Sequence, residues 1–284
     1  MIHIEEVSRQ KNGETDEPKS GMVPFTSAAD APKTNDFNPS QMHAQILYKP
    51  GEAIHTLTSD SVMTWLDSGS SYTRFMDPFG GWINTTRNWQ TRSFLQSSDR
   101  RYLFMCDADV GVPWWVPYRL ASHGLPVVSG VVPCFSLGKG GLFLNIACND
   151  PSGTPRFPTL GGTKTIPKEG IVEIERSGAG CLVVRRDVLE KLWQMADDDP
   201  DFGQPFEQPL AEMRESGKTG RVGQGEDVHF TRRVKEAGFD MWADFACRCI
   251  HDKGMSLAWP DSALSDIDVE DWQVSVFDKQ VRTV

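Results

Sequence analysis

The order of apolar runs along the chain predicts an α/β fold, a central, mostly parallel sheet flanked by helices. Two kinds of segment carry the prediction. Short unbroken apolar runs recur, clearest in Tyr102-Leu103-Phe104-Met105-Cys106 and in Val127-Val128-Ser129-Gly130-Val131-Val132. Such runs suit strands buried on both faces. Segments with helical apolar spacing lie between them, clearest in Val188, Leu189, Leu192 and Trp193. Strands alternating with helices imply a sheet sandwiched between helices.

The elements follow in order. Residues 1 to about 42 are poor in apolar groups and rich in Glu, Asp, Lys, Ser, Pro and Asn, so they bury too little surface to offset their ordering entropy and read as a disordered arm. Gln45 to Tyr48 reads as a short strand ended by Pro50-Gly51. Ser59 to Ser68 carries Val62, Met63 and Leu66 on one helical face, with Thr58 or Ser59 as N-cap and Gly69 as stop. Tyr72 to Gly81 reads as an irregular extended piece containing Asp77. Asn84-Thr85-Thr86 can cap a helix from Arg87 to Ser97, and Trp114 to Ser122 reads as another. Residues 133–170, rich in Gly, Pro and Asn, read as hairpins or a long loop, and 197–224 as loop. Cys181 to Val184 and Met241 to Phe245 are further strands. Asp187 to Ala196 is a helix with capping-box spacing between Asp187 and Glu190, and Glu226 to Ala237 is a helix ended by Gly238. The expected layout is an arm at 1–42, one domain at 43–255 and an acidic extension at 256–284.

Composition narrows the function. The 284 residues give room for one large domain with a self-sufficient core. Twenty-nine basic against 39 acidic residues give a net charge of −10, which argues against duplex nucleic acid as partner, since phosphate binding uses a basic face. No run approaches the roughly 18 apolar residues of a membrane span. Met1 to Gln10 is polar, without the apolar stretch of a secretory leader, so a cytoplasmic protein with six buried thiols is expected rather than a disulfide framework.

Several residues can carry chemistry. Asp107-Ala108-Asp109 directly follows an apolar run, and ligands bind α/β sheets at the carboxyl ends of strands. Residues two apart in extended backbone point the same way, so the two carboxylates can converge on Mg²⁺ or Mn²⁺; the plain alternative is a polar turn. Glu226-Asp227 can supply a general base or simply complement a helix N-terminus. Arg87-Asn88 at a helix start can meet an anion. Ser177-Gly178-Ala179-Gly180 allows close backbone approach or forms an ordinary turn. Cys247, Cys249 and His251 alternate as zinc ligands would, without an evident fourth. Trp114-Trp115 can stack on a sugar or pack a core.

Taken in order, Arg87-Asn88, the apolar run ending in Asp107-Ala108-Asp109, Gly178-Ala179-Gly180 with Arg185-Arg186, Gly225-Glu226-Asp227-Val228, Gly238-Phe239 and His251 resemble the family 2-like glycosyltransferases of the GT-A fold. The resemblance spans about residues 44–253. It implies a single GT-A-like, Rossmann-like domain, with Asp109 and His251, assisted by Asp107, holding Mn²⁺ or Mg²⁺ on a nucleotide-sugar diphosphate. It implies Arg87 and Asn88 near the nucleotide, Gly178 and Gly180 against the ligand, and Asp227 as base with Glu226 beside it. The acceptor is a hydroxyl of a protein, glycan or modified nucleobase. The compact layout, without a processive-synthase Gln-x-x-Arg-Trp motif, is also similar to glycosyltransferases encoded by bacteriophages, which places the protein in a host cytoplasm. Two other readings stay open: a sugar-phosphate nucleotidyltransferase, for which Lys49-Pro50-Gly51 is a poor phosphate loop, and a non-catalytic carbohydrate-binding or interaction protein.

Overall fold

The computed structural model describes residues 37–49, 51–76, 83–136, 141–149, 155–156, 170–199, 202–208, 210–215, 218–223, 225–252 and 256–257. Most of the arm, Asp77 and nearly all of the acidic extension therefore lie outside the described residues.

The core is a seven-stranded sheet. Its strands are β1 (Met42–Tyr48), β2 (Ser71–Met76), β3 (Tyr102–Asp107), β4 (Val127–Val131), β5 (Ile171–Ile174), β6 (Cys181–Arg185) and β7 (Met241–Arg248). They lie in the order β5-β7-β4-β6-β3-β1-β2. β1 is parallel to β2 and β3, and β4 to β7, while β6 runs antiparallel to both β3 and β4, and β5 to β7. Five strands thus point one way, as expected for the α/β class, with two reversed.

Helices cover both faces: α1 (Thr56–Asp67), α2 (Ile83–Ser97), α3 (Val116–Ser122), α4 (Arg186–Asp198) and α5 (Glu226–Glu236). Alternate residues of each strand feed alternate cores. Leu103 and Met105 pack with Phe94 of α2, Leu192 of α4 and Phe230 of α5. Phe104 and Cys106 pack with Trp65 of α1 and Leu120 of α3. Each such buried side chain contributes about 1.5–3 kcal/mol, which is why an unbroken apolar run is needed in β3.

The boundaries depart from expectation where side chains find other partners, some near in the chain and some far. α1 starts earlier, because His55 Nδ1 accepts from Leu57 N at 3.2 Å. Thr58, an expected cap, instead donates to Val110 O at 2.6 Å and accepts from Val112 N at 2.8 Å. The Asp187–Glu190 capping box does not form: Arg185 takes the Asp187 carboxylate through Nε at 2.7 Å, and Glu190 faces Arg186 at 3.5 Å. Asn84 to Thr86 lie inside α2 rather than before it. The region expected as loop at 197–224 holds two antiparallel strands, Leu210–Glu215 and Lys218–Gly223. Within 133–170, Pro133–Ser136 pairs with Gly141–Leu144 as a hairpin. Among the described residues no helix is long and apolar enough to cross a membrane, and none of the six cysteines is in a disulfide.

Candidate active site

The carboxyl ends of β1 and β3 lie side by side, since the strands are parallel and paired through Leu47 and Asp107. The turn after β3 is fixed by its own backbone: Ala108 N donates to Leu47 O at 2.8 Å and Ala108 O accepts from His55 N at 2.7 Å. This clamp sets the directions of Asp107 and Asp109. A solvent-open cleft lies there, lined by Leu47, Tyr48, Lys49, Glu52, Ile83 and Asp107 to Asp109. Lys49 N donates to Glu52 Oε2 at 2.8 Å across its lip. Tyr48, Glu52 and Ile83 are site residues that sequence reasoning did not single out. Their only signal is position at the end of a strand or the start of a helix, and which strand ends adjoin is a matter of sheet order.

Asp109 meets His251 through a second pairing. The strand Ile250–Asp252 runs antiparallel to Val110–Gly111, with His251 opposite Val110, and Asp252 N donates to Asp109 O at 2.8 Å. His251 Nδ1 lies 2.8 Å from Pro133 O, so it carries a proton and Nε2 faces Asp109 Oδ2 at 3.7 Å, an ion-pair rather than a hydrogen-bond distance. Burial lowers the His251 pKa, but Asp109, Cys134 and Pro133 outweigh it and raise it to about 10. A metal-ligating histidine commonly anchors its non-ligating nitrogen on a carbonyl in this way; here the other nitrogen faces Asp109 as an ion pair. Among the described residues no three such groups converge as a metal centre. Asp107, expected to assist, is turned instead to Arg87. Cys247 and Cys249 are fully buried in the core and do not join His251 in a zinc site.

The centre of the site is Arg87. It is 1% exposed, on the sheet-facing side of α2. Its Nη2 donates to Asp107 Oδ1 at 2.7 Å and its Nε to Glu226 Oε1 at 3.2 Å. Burial opposes its charge, yet Asp107 and Glu226 prevail and raise its pKa. Asp227 follows Glu226 at the start of α5. Burial first, then the Glu226 charge, push its carboxyl up to about 6. Its Oδ1 accepts from Val228 N at 2.7 Å. A Cβ on Gly225 would lie 2.6 Å from that oxygen, so glycine is needed for the carboxylate to fold back there.

β6 brings up the remaining wall. Cys181 pairs with Cys106, and Asp107 N donates to Gly180 O at 3.2 Å. A Cβ on Gly180 would meet Asp107 Oδ2 at 3.2 Å, and one on Gly178 would lie 3.5 Å from Asp227 Oδ2. The Ser177–Gly180 turn thus touches both acidic groups. Asn88, expected at the ligand, is 3% exposed and spends its amide elsewhere. It donates to Gln204 Oε1 at 2.8 Å and Phe206 O at 2.7 Å and accepts from Phe206 N, bracing 202–208 against α2, while Phe206 stacks on Phe230 of α5. Trp115 is buried and Trp114 packs edge-on against Tyr118, so the pair serves packing.

No protein-family model and no curated protein matches the sequence. Among solved structures, a protein from STIV is similar over 81% of this chain and 95% of its own, with TM-score 0.47 and 15% identity. GalNAc-T7, solved with UDP, GalNAc and Mn²⁺, matches over 74% of this chain and 43% of its own, with TM-score 0.40 and 11% identity. A mutant UDP-glucose pyrophosphorylase from Leishmania major matches over 77% and 66%, with TM-score 0.38 and 9% identity.

Proposed function

We propose that the protein transfers a sugar from a nucleotide-sugar donor to a hydroxyl acceptor. The observation that carries this reading is the cluster at the carboxyl ends of the parallel strands. There a buried arginine ties Asp107 to Glu226, the adjacent Asp227 has a pKa of about 6, and Asp109 faces His251 nearby.

The donor diphosphate lies against Asp109 and His251, with the nucleoside in the cleft beside Tyr48, Lys49 and Ile83. Asp109 and His251 would hold a divalent cation only once His251 gives up its Nε2 proton, because a ligating imidazole must be neutral. When bound, the cation neutralises charge on the leaving diphosphate. Asp227 receives the proton of the acceptor hydroxyl as that oxygen bonds to the anomeric carbon and the bond from that carbon to the diphosphate oxygen breaks. A carboxyl near pKa 6 suits this role, being ionised at neutral pH yet basic enough to hold the proton. Gly178 and Gly180 bring the 177–180 turn close enough to exclude water from one side.

The test is release of nucleoside diphosphate from a panel of sugar nucleotides with Mn²⁺. One donor is expected to be turned over, and Asp109→Ala to abolish its release. No release from any donor, with no donor-dependent thermal stabilisation, would sink the reading. Pyrophosphate release from a nucleoside triphosphate and a sugar phosphate would assign a nucleotidyltransferase instead, for which Lys49 in the cleft is the one favourable feature.

A further inference from the structure

Glu226 and Asp227 are adjacent carboxylates at one helix start, and either could in principle accept a proton. We infer that Arg87 is the positioning residue that makes the choice: by holding Glu226 and Asp107 along one edge of its guanidinium, it leaves Asp227 as the base. The inference rests on the transferase reading above and adds to it the group that assigns the roles.

Three carboxylates, Asp107, Glu226 and Asp227, surround a single buried cation. The guanidinium is planar, with Nε–H and one Nη2–H side by side on one edge. That edge spans two oxygens from two separate elements, Asp107 Oδ1 at the end of β3 and Glu226 Oε1 at the start of α5. Both carboxylates are thereby fixed in position. The third nitrogen, Nη1, is buried and among the described residues has no hydrogen-bond partner, so it does not hold Asp227. Asp227 instead accepts from Val228 N through Oδ1, while Oδ2 faces the Gly178 side of the site. Burial acts on it most, followed by repulsion from Glu226; the Val228 N–H and the Arg87 charge oppose them, and Asp107 repels it least. Arg87 sits 139 residues from Glu226 in the chain, and it joins the strand carrying the acidic turn to the helix carrying the base. Lysine cannot reproduce this, because an ammonium is a compact point charge without a rigid two-donor edge.

The experiment uses the full chain with ¹³C-labelled aspartate carboxyls, alongside kcat and KM for the donor. In the wild type the Asp227 resonance, assigned by its loss in Asp227→Asn, titrates near pH 6. In Arg87→Met it is expected to move up by roughly one unit or more, as an attracting charge is lost. In Arg87→Lys the charge returns and the titration recovers towards wild type. The kcat, however, is expected to stay down by about ten-fold or more, with donor KM little changed, because the two carboxylates are no longer held by one rigid group. An Asp227 titration that Arg87→Met leaves in place overturns the inference, as does wild-type kcat in Arg87→Lys. If Arg87→Met fails to fold by circular dichroism, Arg87→Lys decides by its kcat. A wild type that turns over no donor removes the transferase reading, and Asp227 titrations in the two Arg87 variants then decide alone whether Arg87 governs that carboxyl.

Discussion

Two buried arginine–carboxylate clusters sit in this molecule with opposite charge ratios. On the far side of the sheet, Asp244 of β7 is fully buried and meets two bases from or just after α3. Arg119 Nε donates to its Oδ2 at 2.6 Å, and His123 Nε2 lies 2.8 Å from the same oxygen. Ala246 N donates to Oδ1 at 2.9 Å, just where β7 breaks register with β4. Burial pushes the Asp244 carboxyl up, but His123 and Arg119 prevail and hold it below the usual range. At the acidic site one guanidinium serves three carboxylates, and Asp227 rises to about 6. One carboxylate with surplus donors makes a structural tie. Surplus carboxylates around one cation leave a group able to exchange a proton near neutrality. Such perturbed groups in clefts mark functional sites.

The largest effect expected from breaking this contrast is on catalysis. Asp227→Asn removes the proton acceptor, so donor-dependent transfer should fall by about 10²–10⁴-fold. Its thermal stability should hold or rise, because a repelled charge has been removed. Asp244→Asn should do the reverse. It leaves Arg119 buried without a counter-charge, at a cost of about 3–5 kcal/mol in denaturant unfolding, with specific activity of the folded fraction retained.

The two clusters should also respond to pH with opposite signs. Asp227 has a folded pKa of about 6 against an unfolded 3.8, so its contribution favours folding most below 3.8 and is lost as pH rises through about 6. The difference is on the order of 2–3 kcal/mol. Asp244 is depressed, so its contribution is present above the unfolded value and lost as pH falls through the folded one. Stability measured against pH, without added metal, should show Asp227→Asn gaining on wild type between about pH 4 and 6. Asp244→Asn should fall behind wild type as pH rises towards about 4, and its curve should run parallel to the wild type's from there to pH 6. Parallel curves for the two variants would remove the distinction between the clusters.

The smallest effect sharpens the geometry. Gly180→Ala places a methyl 3.2 Å from Asp107 Oδ2 and 3.3 Å from Val110 Cγ2. A shift of a few tenths of an ångström relieves it, so stability should drop by about 1 kcal/mol. Donor KM should rise, because the displaced Asp107 borders the cleft.

Much of the fold was legible in the sequence. The runs 102–106 and 127–132 became β3 and β4 within a residue, because a strand buried on both faces admits only apolar side chains. The stripe Val188, Leu189, Leu192 and Trp193 became the buried face of α4. Asp107 and Asp109 at a strand end, and Glu226-Asp227 at a helix start, were visible as acidic residues next to apolar patterns. Other features were not legible. Thr58 and Asp187 have local capping chemistry, yet Thr58 is taken by Val110 from across the chain and Asp187 by Arg185 two residues before it. The strands at 210–215 and 218–223 have too little apolar alternation to stand out from a loop.

What the sequence alone determined is therefore what short-range physics dictates. Side-chain periodicity, backbone preference and burial set the elements, their order and the acidic residues at their ends. What only the tertiary structure decided is partnership. Sheet order placed β1 beside β3 and opened the cleft between their ends. The antiparallel entry of β6 brought Gly180 to Asp107, and the pairing of residues 250–252 with 110–111 brought His251 to Asp109. The chain could not show that Arg87 would bind Glu226 rather than Asp227. Two adjacent carboxylates have the same charge and nearly the same reach, and only the direction from which the buried guanidinium arrives tells them apart.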